Sequence, residues 1–354
     1  MADIVFLSHT ARSSYFRVGS HHLSQALAQQ SHRVAHISTP FSWIHHVVRP
    51  EQRARRAAAK EGVTNAGGVA DLVPRPLLPV NVRWSKYQMQ AALAKVGIPA
   101  PAFVFIDQPL FPVGSLTGAT VIFRPTDVFT SKSVQAAALA TARRADGVAA
   151  TSPGVLASLG LDASIPETII ENGVDFSRFS QAAAATKEYD FVYVGALDIR
   201  FDFETVRLAA ERLPDRSFVL YGPPPSPLPF MPPNVQFRGA ISYERVPEAM
   251  ARGRFGVMPF VPGHSNDGRS PMKLYEYVAA GLPVIAPRQL VDRSPRLSCL
   301  RAFDPHDREA FADALSDEFV PSPPSRLDTN IARSMDWSAV ATELFGFAQR
   351  VAAR

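Results

Sequence analysis

The chain has almost no cysteine: Cys299 is the single one in 354 residues. An internal disulfide framework is therefore excluded, and a reducing compartment suits the sequence. No stretch approaches the roughly 18 consecutive apolar residues that a membrane span requires. No G-x-G-x-x-G occurs, which argues against a nicotinamide-dependent dehydrogenase. No nucleic-acid-binding motif is present either. His21 and His22 suggest a metal to the eye, but adjacent residues on a helix point about 100° apart and make poor co-ligands. No metal and no cofactor are expected. The opening "MADIVFLSHT" reads directly as a strand, with neither a basic n-region nor a small-residue cleavage site. No secretory leader is expected from it, and the cytoplasm is the expected location.

What is present suits a folded globular protein: 46% hydrophobic and 19% charged residues, with length enough for two α/β domains. The net charge of +5 is unevenly spread. Between Arg49 and Lys86 stand eight basic residues, among them Arg53, Arg55 and Arg56, against three acidic ones. Trp43 and Trp84 flank that window. Basic residues bracketed by amphipathic rings suit the anionic inner face of a cytoplasmic membrane; a solvated basic loop is the other reading.

Short apolar strands alternate with helices twice along the chain. The first half reads as strands at 3–8, 32–38, 102–106, 119–124, 147–152 and 167–173, with helices near 19–30, 85–95 and 131–144. Residues 41–84 read as irregular. The pattern restarts with strands at 189–196, 217–222, 235–239, 255–260 and 282–286 and helices at 203–213, 243–252 and 270–281. Such alternation predicts parallel sheets covered on both faces. Two doubly wound domains are expected, 1–173 and 174–335, with "NGVDFSRF" (172–179) between them and residues 336–354 as a helix packing back on the first. Ligands are expected in a cleft at the carboxyl ends of the strands.

"SPMKLYEYVAAGLPVI" (270–285) carries the sharpest chemistry. Ser270 suits an N-cap and Pro271 a first helical residue. Lys273 then falls in the first turn, where unpaired N–H groups and the helix dipole already favour anions. A bound phosphate makes sense of a lysine there. Glu276, one turn on, shares its face and can accept from the two hydroxyls of a ribose. An exposed Lys–Glu pair, worth about 0.2–0.5 kcal/mol, is the plainer alternative.

These residues resemble the nucleotide-binding helix of GT-B glycosyltransferases, in which a Glu stands five residues before Gly-x-Pro-Val. "ENGVDFSRF" resembles their interdomain linker, "YVGALDIRFDFETV" the first strand and helix of their donor domain, and "GSHHLSQALAQQSHRVAHIS" their first helix and second strand. The Met-Lys-Leu turn and "FRPTD" (123–127) narrow the likeness to the exopolysaccharide glucuronosyltransferases of the xanthan type. The resemblance implies an α/β GT-B fold, two Rossmann-like domains facing an interdomain cleft. It also implies transfer of a sugar from a nucleotide diphosphate, a UDP-sugar and specifically UDP-glucuronate, to a saccharide or polyprenyl-diphosphate-linked acceptor in polysaccharide assembly. Lys273 would neutralise the diphosphate, with Met272 packed beside it and Glu276 on the ribose. Gly195 and Ala196 would admit the diphosphate to the backbone. Arg238, Gly239 and Ile241 would flank the base, and Phe260 would line the pocket. Arg200 could meet a phosphate or be a solvent-exposed loop arginine.

Retaining GT-B enzymes usually carry a second Glu eight residues before the first; Gly268 stands there, so inversion is expected. A single displacement needs a proton acceptor. Asp127, just past its strand and matching the resembling enzymes' base, is the expected one, with ordering of the following loop as its alternative role. Asp107 and His9, each at a strand's end, could face the acceptor or the sugar. Asp202 reads as an N-cap. The alternatives are a retaining enzyme using GDP-mannose or another donor, an epimerase on the same fold, and a non-catalytic nucleotide- or lipid-binding scaffold.

Overall fold

The computed structural model describes residues 1–14, 16–42, 53–76, 86–111, 113–162, 164–263, 266, 268–270, 272–316 and 321–354. The chain divides into two compact units: Met1–Asn172 with Gly268–Ser270 and Trp337–Arg354, and Gly173–Asp267 with Pro271–Asp336.

The first unit is built on strands β1 (Asp3–Ser8), β2 (Arg33–Ser38), β3 (Val63–Ala66), β4 (Val69–Leu72), β5 (Phe103–Ile106), β6 (Thr120–Phe123), β7 (Gly147–Ala150) and β8 (Glu167–Ile169). Their order across the sheet is β3-β4-β2-β1-β5-β6-β7-β8. Every pair is parallel except the β3–β4 hairpin. Both faces are covered, so β1 reads as a nearly unbroken apolar run, and Val5, Leu7, Ile37, Val104, Ile106 and Phe123 share one core. The helices are α1 (Gly19–Gln29), α2 (Arg53–Glu61), α3 (Lys86–Lys95), α4 (Lys132–Ala142) and α5 (Pro153–Ala157).

Residues 41–84 are not irregular throughout, as their composition suggested. They hold α2 and the hairpin, whose turn residues Gly67 and Gly68 both have positive φ, 60° and 79°. That geometry belongs to a tight primed turn and favours glycine. The hairpin is anchored because β4 adds to β2 in parallel, Val34 beside Val69 through Ile37 beside Leu72.

The second unit carries β9 (Tyr189–Val194), β10 (Phe218–Tyr221), β11 (Val235–Gly239), β12 (Gly253–Val257), β13 (Val284–Pro287) and β14 (Leu300–Phe303). The order is β11-β10-β9-β12-β13-β14, all parallel. Helices α6 (Phe176–Ala182), α7 (Phe203–Arg212), α8 (Val246–Ala251), α9 (Met272–Ala279), α10 (Arg288–Asp292), α11 (Arg308–Ala314) and α12 (Arg326–Ser334) belong to it. Two apolar clusters fill its two faces, one around Tyr277 and Leu274, the other around Phe218 and Phe311. Asp202 caps α7, accepting from the Thr205 N–H at 3.0 Å.

The last helix, α13 (Trp337–Ala352), belongs to the first unit. Trp337 stacks on His22 of α1 with centroids 4.9 Å apart, and Phe345 meets both His32 and Phe103.

Strand order reverses direction between β1 and β5 in the first unit and between β9 and β12 in the second. Doubly wound sheets bind ligands beyond the carboxyl ends of strands at such switch points. Those ends carry Ser8, His9 and Asp107 in one unit and Gly195, Ala196 and Met258 in the other.

Candidate functional site

In the second unit, α9 brings Lys273 over the end of β9. Its Nζ lies 5.5 Å from the centroid of the Tyr193 ring. A Cβ at Gly195 would overlap Lys273 Cε and come within 2.6 Å of Nζ, so a side chain there would displace the ammonium from this position. The Tyr193 hydroxyl donates to the Ala196 carbonyl at 3.0 Å, fixing the turn beyond the strand. Three neighbouring strands end in glycine here. Gly195 N–H donates to Tyr221 O and Gly222 N–H to Gly239 O, each at 2.9 Å, and a side chain at Gly222 would overlap the Gly195 carbonyl. The result is a floor of bare backbone beside an ammonium group, suited to an anion.

Glu276 is not the half of an exposed ion pair. It is 6% exposed, and burial raises its pKa to about 7; Lys273 pulls it down in part and Asp175 pushes it further up. Ser270, expected as an N-cap, instead uses its hydroxyl to accept the Asn172 N–H at 3.1 Å.

The other expected donor residues divide. Phe260 and Ile241 pack at the margin of the cluster that holds Leu274 and Tyr277, and Phe260 sets its ring edge-on to Tyr193 at 6.3 Å. Met272 is half-buried at the start of α9. Arg238 is exposed and donates to Gln236 at 2.7 Å, on the outer face of β11. Arg200 forks onto Asp198 from Nε at 2.9 and 3.1 Å. Gly222 and Tyr193 were missed, although "YVG", "LYG" and "FRG" repeat one strand ending across the second half.

In the first unit, Asp127 is ion-paired with Arg269, Nε to Oδ1 at 2.9 Å. Gly268, next to it, is packed: a Cβ there would come within 2.6 Å of Val128 Cγ2, while its carbonyl accepts the Ser152 hydroxyl. His9 and Asp107, 98 residues apart, meet at the switch point. The backbone N–H of His9 donates to Asp107 Oδ1 at 3.1 Å, and its Nδ1 lies 3.6 Å from the same oxygen. The Ser8 hydroxyl donates to Oδ2 at 2.7 Å. Burial works to raise the Asp107 pKa, but bonds from His9 and Ser8 outweigh it and hold the carboxyl below its usual range. Arg124, the arginine of "FRPTD", is 2% exposed; burial lowers its pKa to about 10, partly offset by Asp107. It donates to Asn172 Oδ1 at 3.1 Å. Its burial was not anticipated.

His21 is buried, with Nε2 2.9 Å from the Thr10 carbonyl, and His22 faces Trp337. Among the described residues no group of three or more metal-ligating side chains occurs. No helix described is long and apolar enough to cross a membrane. Trp43 and Trp84 lie outside the described residues, as do the side chains of Arg53 and Arg55 on α2; Arg56 is exposed. Beside α2 opens a cavity of about 320 Å³, lined by Ala59, Val63, Leu72, Val73 and Ala92 with Arg75 and Lys95.

Residues 188–317 match the family model of glycosyl transferases group 1. Apart from Gly268–Ser270, the matched stretch lies in the second unit. A curated relative, a putative teichuronic acid biosynthesis glycosyltransferase (TuaH) of Bacillus subtilis, is 24% identical over 264 residues, which are 68% of this chain and 66% of the relative. The chain thus spans about two-thirds of that relative's length. Among solved structures, the sucrose-phosphate synthase of Thermosynechococcus elongatus superposes with a TM-score of 0.73 at 17% identity, covering 99% of both chains. The catalytic domain of Arabidopsis thaliana starch synthase IV does so at 0.66 and 11%, covering 100% of both. The fold is α/β, two Rossmann-like units with parallel sheets, as in the GT-B glycosyltransferases.

Proposed function

We propose that the chain transfers a sugar from a nucleotide diphosphate to a saccharide acceptor, with inversion at the anomeric carbon. The observation that carries this reading is the end of β9 in the transferase domain: Lys273 lies over the bare backbone of Gly195, and Glu276 is buried one turn away. The Lys273 ammonium takes the diphosphate above that backbone, and a desolvated carboxyl takes the ribose hydroxyls. As the sugar leaves, the charge growing on the diphosphate is met by groups already in place.

Inversion is favoured by Gly268. Where retaining enzymes of this fold hold a second glutamate, this chain has a glycine, at which a Cβ would already meet Val128 Cγ2 at 2.6 Å. A UDP-sugar, and UDP-glucuronate in particular, is the donor suggested by the likeness to the xanthan-type enzymes. A polyprenyl-diphosphate-linked acceptor, met at an anionic membrane surface, suits the basic helix α2 and the adjoining apolar cavity with its two cationic residues.

A thermal-shift panel of UDP, GDP, ADP and dTDP tests the donor site. One nucleotide should stabilise the protein, and Lys273→Ala should abolish its effect; a flat response to all four would defeat the reading. The proton acceptor belongs to the first unit, where Asp127 and the His9–Asp107 pair both stand at strand ends. Asp127 can serve only once its pair with Arg269 opens. As the base, Asp127→Asn would keep nucleotide binding and lose transfer; near-normal turnover in that variant removes it from the role.

A further inference from the structure

The segment Gly268–Ser270 is flanked in the sequence by second-unit residues on both sides, yet it belongs to the first unit. Each of its three residues is held there by a different group. The Gly268 carbonyl accepts the Ser152 hydroxyl, Arg269 pairs with Asp127 at 2.9 Å, and Ser270 is bound twice by Asn172. The Asn172 N–H donates to the Ser270 hydroxyl at 3.1 Å, and its side-chain Nδ2 donates to the Ser270 carbonyl at 2.7 Å. Asn172 is the asparagine of "ENGVDFSRF", a stretch that the transfer reading leaves without a chemical role.

The Asn172 amide is itself held. Its Oδ1 accepts from Arg124 Nη2 at 3.1 Å. Arginine can only donate and a backbone carbonyl can only accept, so these two partners fix which way the amide points. Arg124 follows the carboxyl end of β6, where its N–H donates to the Ile106 carbonyl at 2.7 Å, and it is 2% exposed. Gly19 of α1 lies against the pair: a Cβ there would meet Asn172 Oδ1 at 3.0 Å. An arginine rooted in the sheet thus holds an asparagine, and the asparagine holds Ser270. The place needs a donor and an acceptor on one short planar group, which an ionised aspartate cannot offer.

Helix α9 begins at Met272, two residues beyond Ser270. From Leu274 onward the helix is anchored by its own burial, with Leu274, Tyr277 and Val278 at most 1% exposed. Met272 and Lys273 precede that anchor and are half-buried. They stand in the first turn, whose N–H groups no intrahelical bond secures.

We propose that Asn172, backed by Arg124, is a positioning residue for the donor diphosphate: by fixing Ser270 it fixes the first turn of α9, and with it the Lys273 ammonium over Gly195. The proposal rests on the donor-site reading above. Asn172 touches no substrate in this role. Its effect falls on the diphosphate, which Lys273 meets. The nucleoside is spared, because Glu276 lies in the part of the helix that burial already anchors.

The test is calorimetric titration of the full chain with UDP and with uridine, which carries the same base and ribose and no phosphate. Asn172→Ala is expected to weaken UDP binding by about 3- to 10-fold and uridine binding by less than about twofold. In a Lys273→Ala background the same change is expected to weaken UDP by less than about twofold further, because the group it positions is gone. Asn172→Asp keeps the shape and the contact with Arg124 but sets an oxygen against the Ser270 carbonyl. It should show the same selective loss, and it carries the test if Asn172→Ala does not fold. A folded variant that binds UDP as the wild type does, that loses uridine as strongly as UDP, or that adds its full factor to Lys273→Ala overturns the proposal. If UDP gives no heat, GDP, ADP or dTDP replaces it, each beside its own nucleoside. A wild-type protein that binds none of the four overturns the donor-site reading, and the Asn172 role with it.

Discussion

At the scale of single residues, Glu276 is the side chain whose chemistry is most exposed to test. Its pKa of about 7 lies above the ordinary 4.5, so the folded protein holds this proton more tightly than the unfolded chain. The stability this confers is complete below pH 4.5 and is given up as pH rises through 7, about 3 kcal/mol over the whole span. Urea unfolding at pH 4.5 and 7.5 should show that slope in the nucleotide-free protein. The slope should be missing from Glu276→Gln. Nucleotide-sugar binding should run the other way, KM falling as pH climbs through 7, because only the ionised carboxylate accepts from two ribose hydroxyls. Lys273→Ala removes a charge-assisted contact of about 1.5–3 kcal/mol, so UDP affinity measured by calorimetry should fall about 10- to 100-fold. Lys273 and Glu276 were legible in the sequence because both stand on one short helix, where spacing alone puts them on a face. The burial of Glu276 was not, since it depends on what packs around α9. His9 and Asp107 were legible only as two separate strand ends. Their meeting depends on β1 and β5 being neighbours, which a strand list without an order does not contain.

At the scale of elements, alternation sufficed for most of the parallel strands, because a strand buried on both faces announces itself as an apolar run; β14, half-buried along Leu300–Ala302, was not read. It failed for the β3–β4 hairpin. Val63–Ala66 is exposed throughout and has no apolar periodicity, and its turn signal, Gly67–Gly68, sits in a basic, alanine-rich stretch that reads as loop. The helix α13 belongs to the first unit through Trp337, which is 5% exposed and lies flat on His22. Trp337→Ala leaves a cavity against α1, and the expected loss is about 3–5 kcal/mol. Denaturant unfolding should register it, while UDP binding by the second unit should be kept in the variant's folded fraction.

At the scale of the molecule, charge is the property that the fold does not explain. The excess of basic residues between Arg49 and Lys86 matches the net charge of the entire chain. If this region meets a membrane, pelleting with vesicles should require anionic lipid and weaken between about 0.05 and 0.5 M salt. Replacing Arg53, Arg55 and Arg56 together should reduce it severalfold. Pelleting indifferent to lipid charge, or to those three changes, would return the segment to the role of a solvated basic surface.

The first unit is discontinuous: Trp337–Arg354 completes it, after the entire second unit has been spelled out. On the ribosome, therefore, the unit begun first is finished last. Residues 173–336 emerge in time to collapse on their own, while Gly147 and His22 wait for Phe347 and Trp337 to be synthesised. A nascent chain stalled before residue 337 should hold a protease-resistant second unit tethered to a first one still open to cleavage.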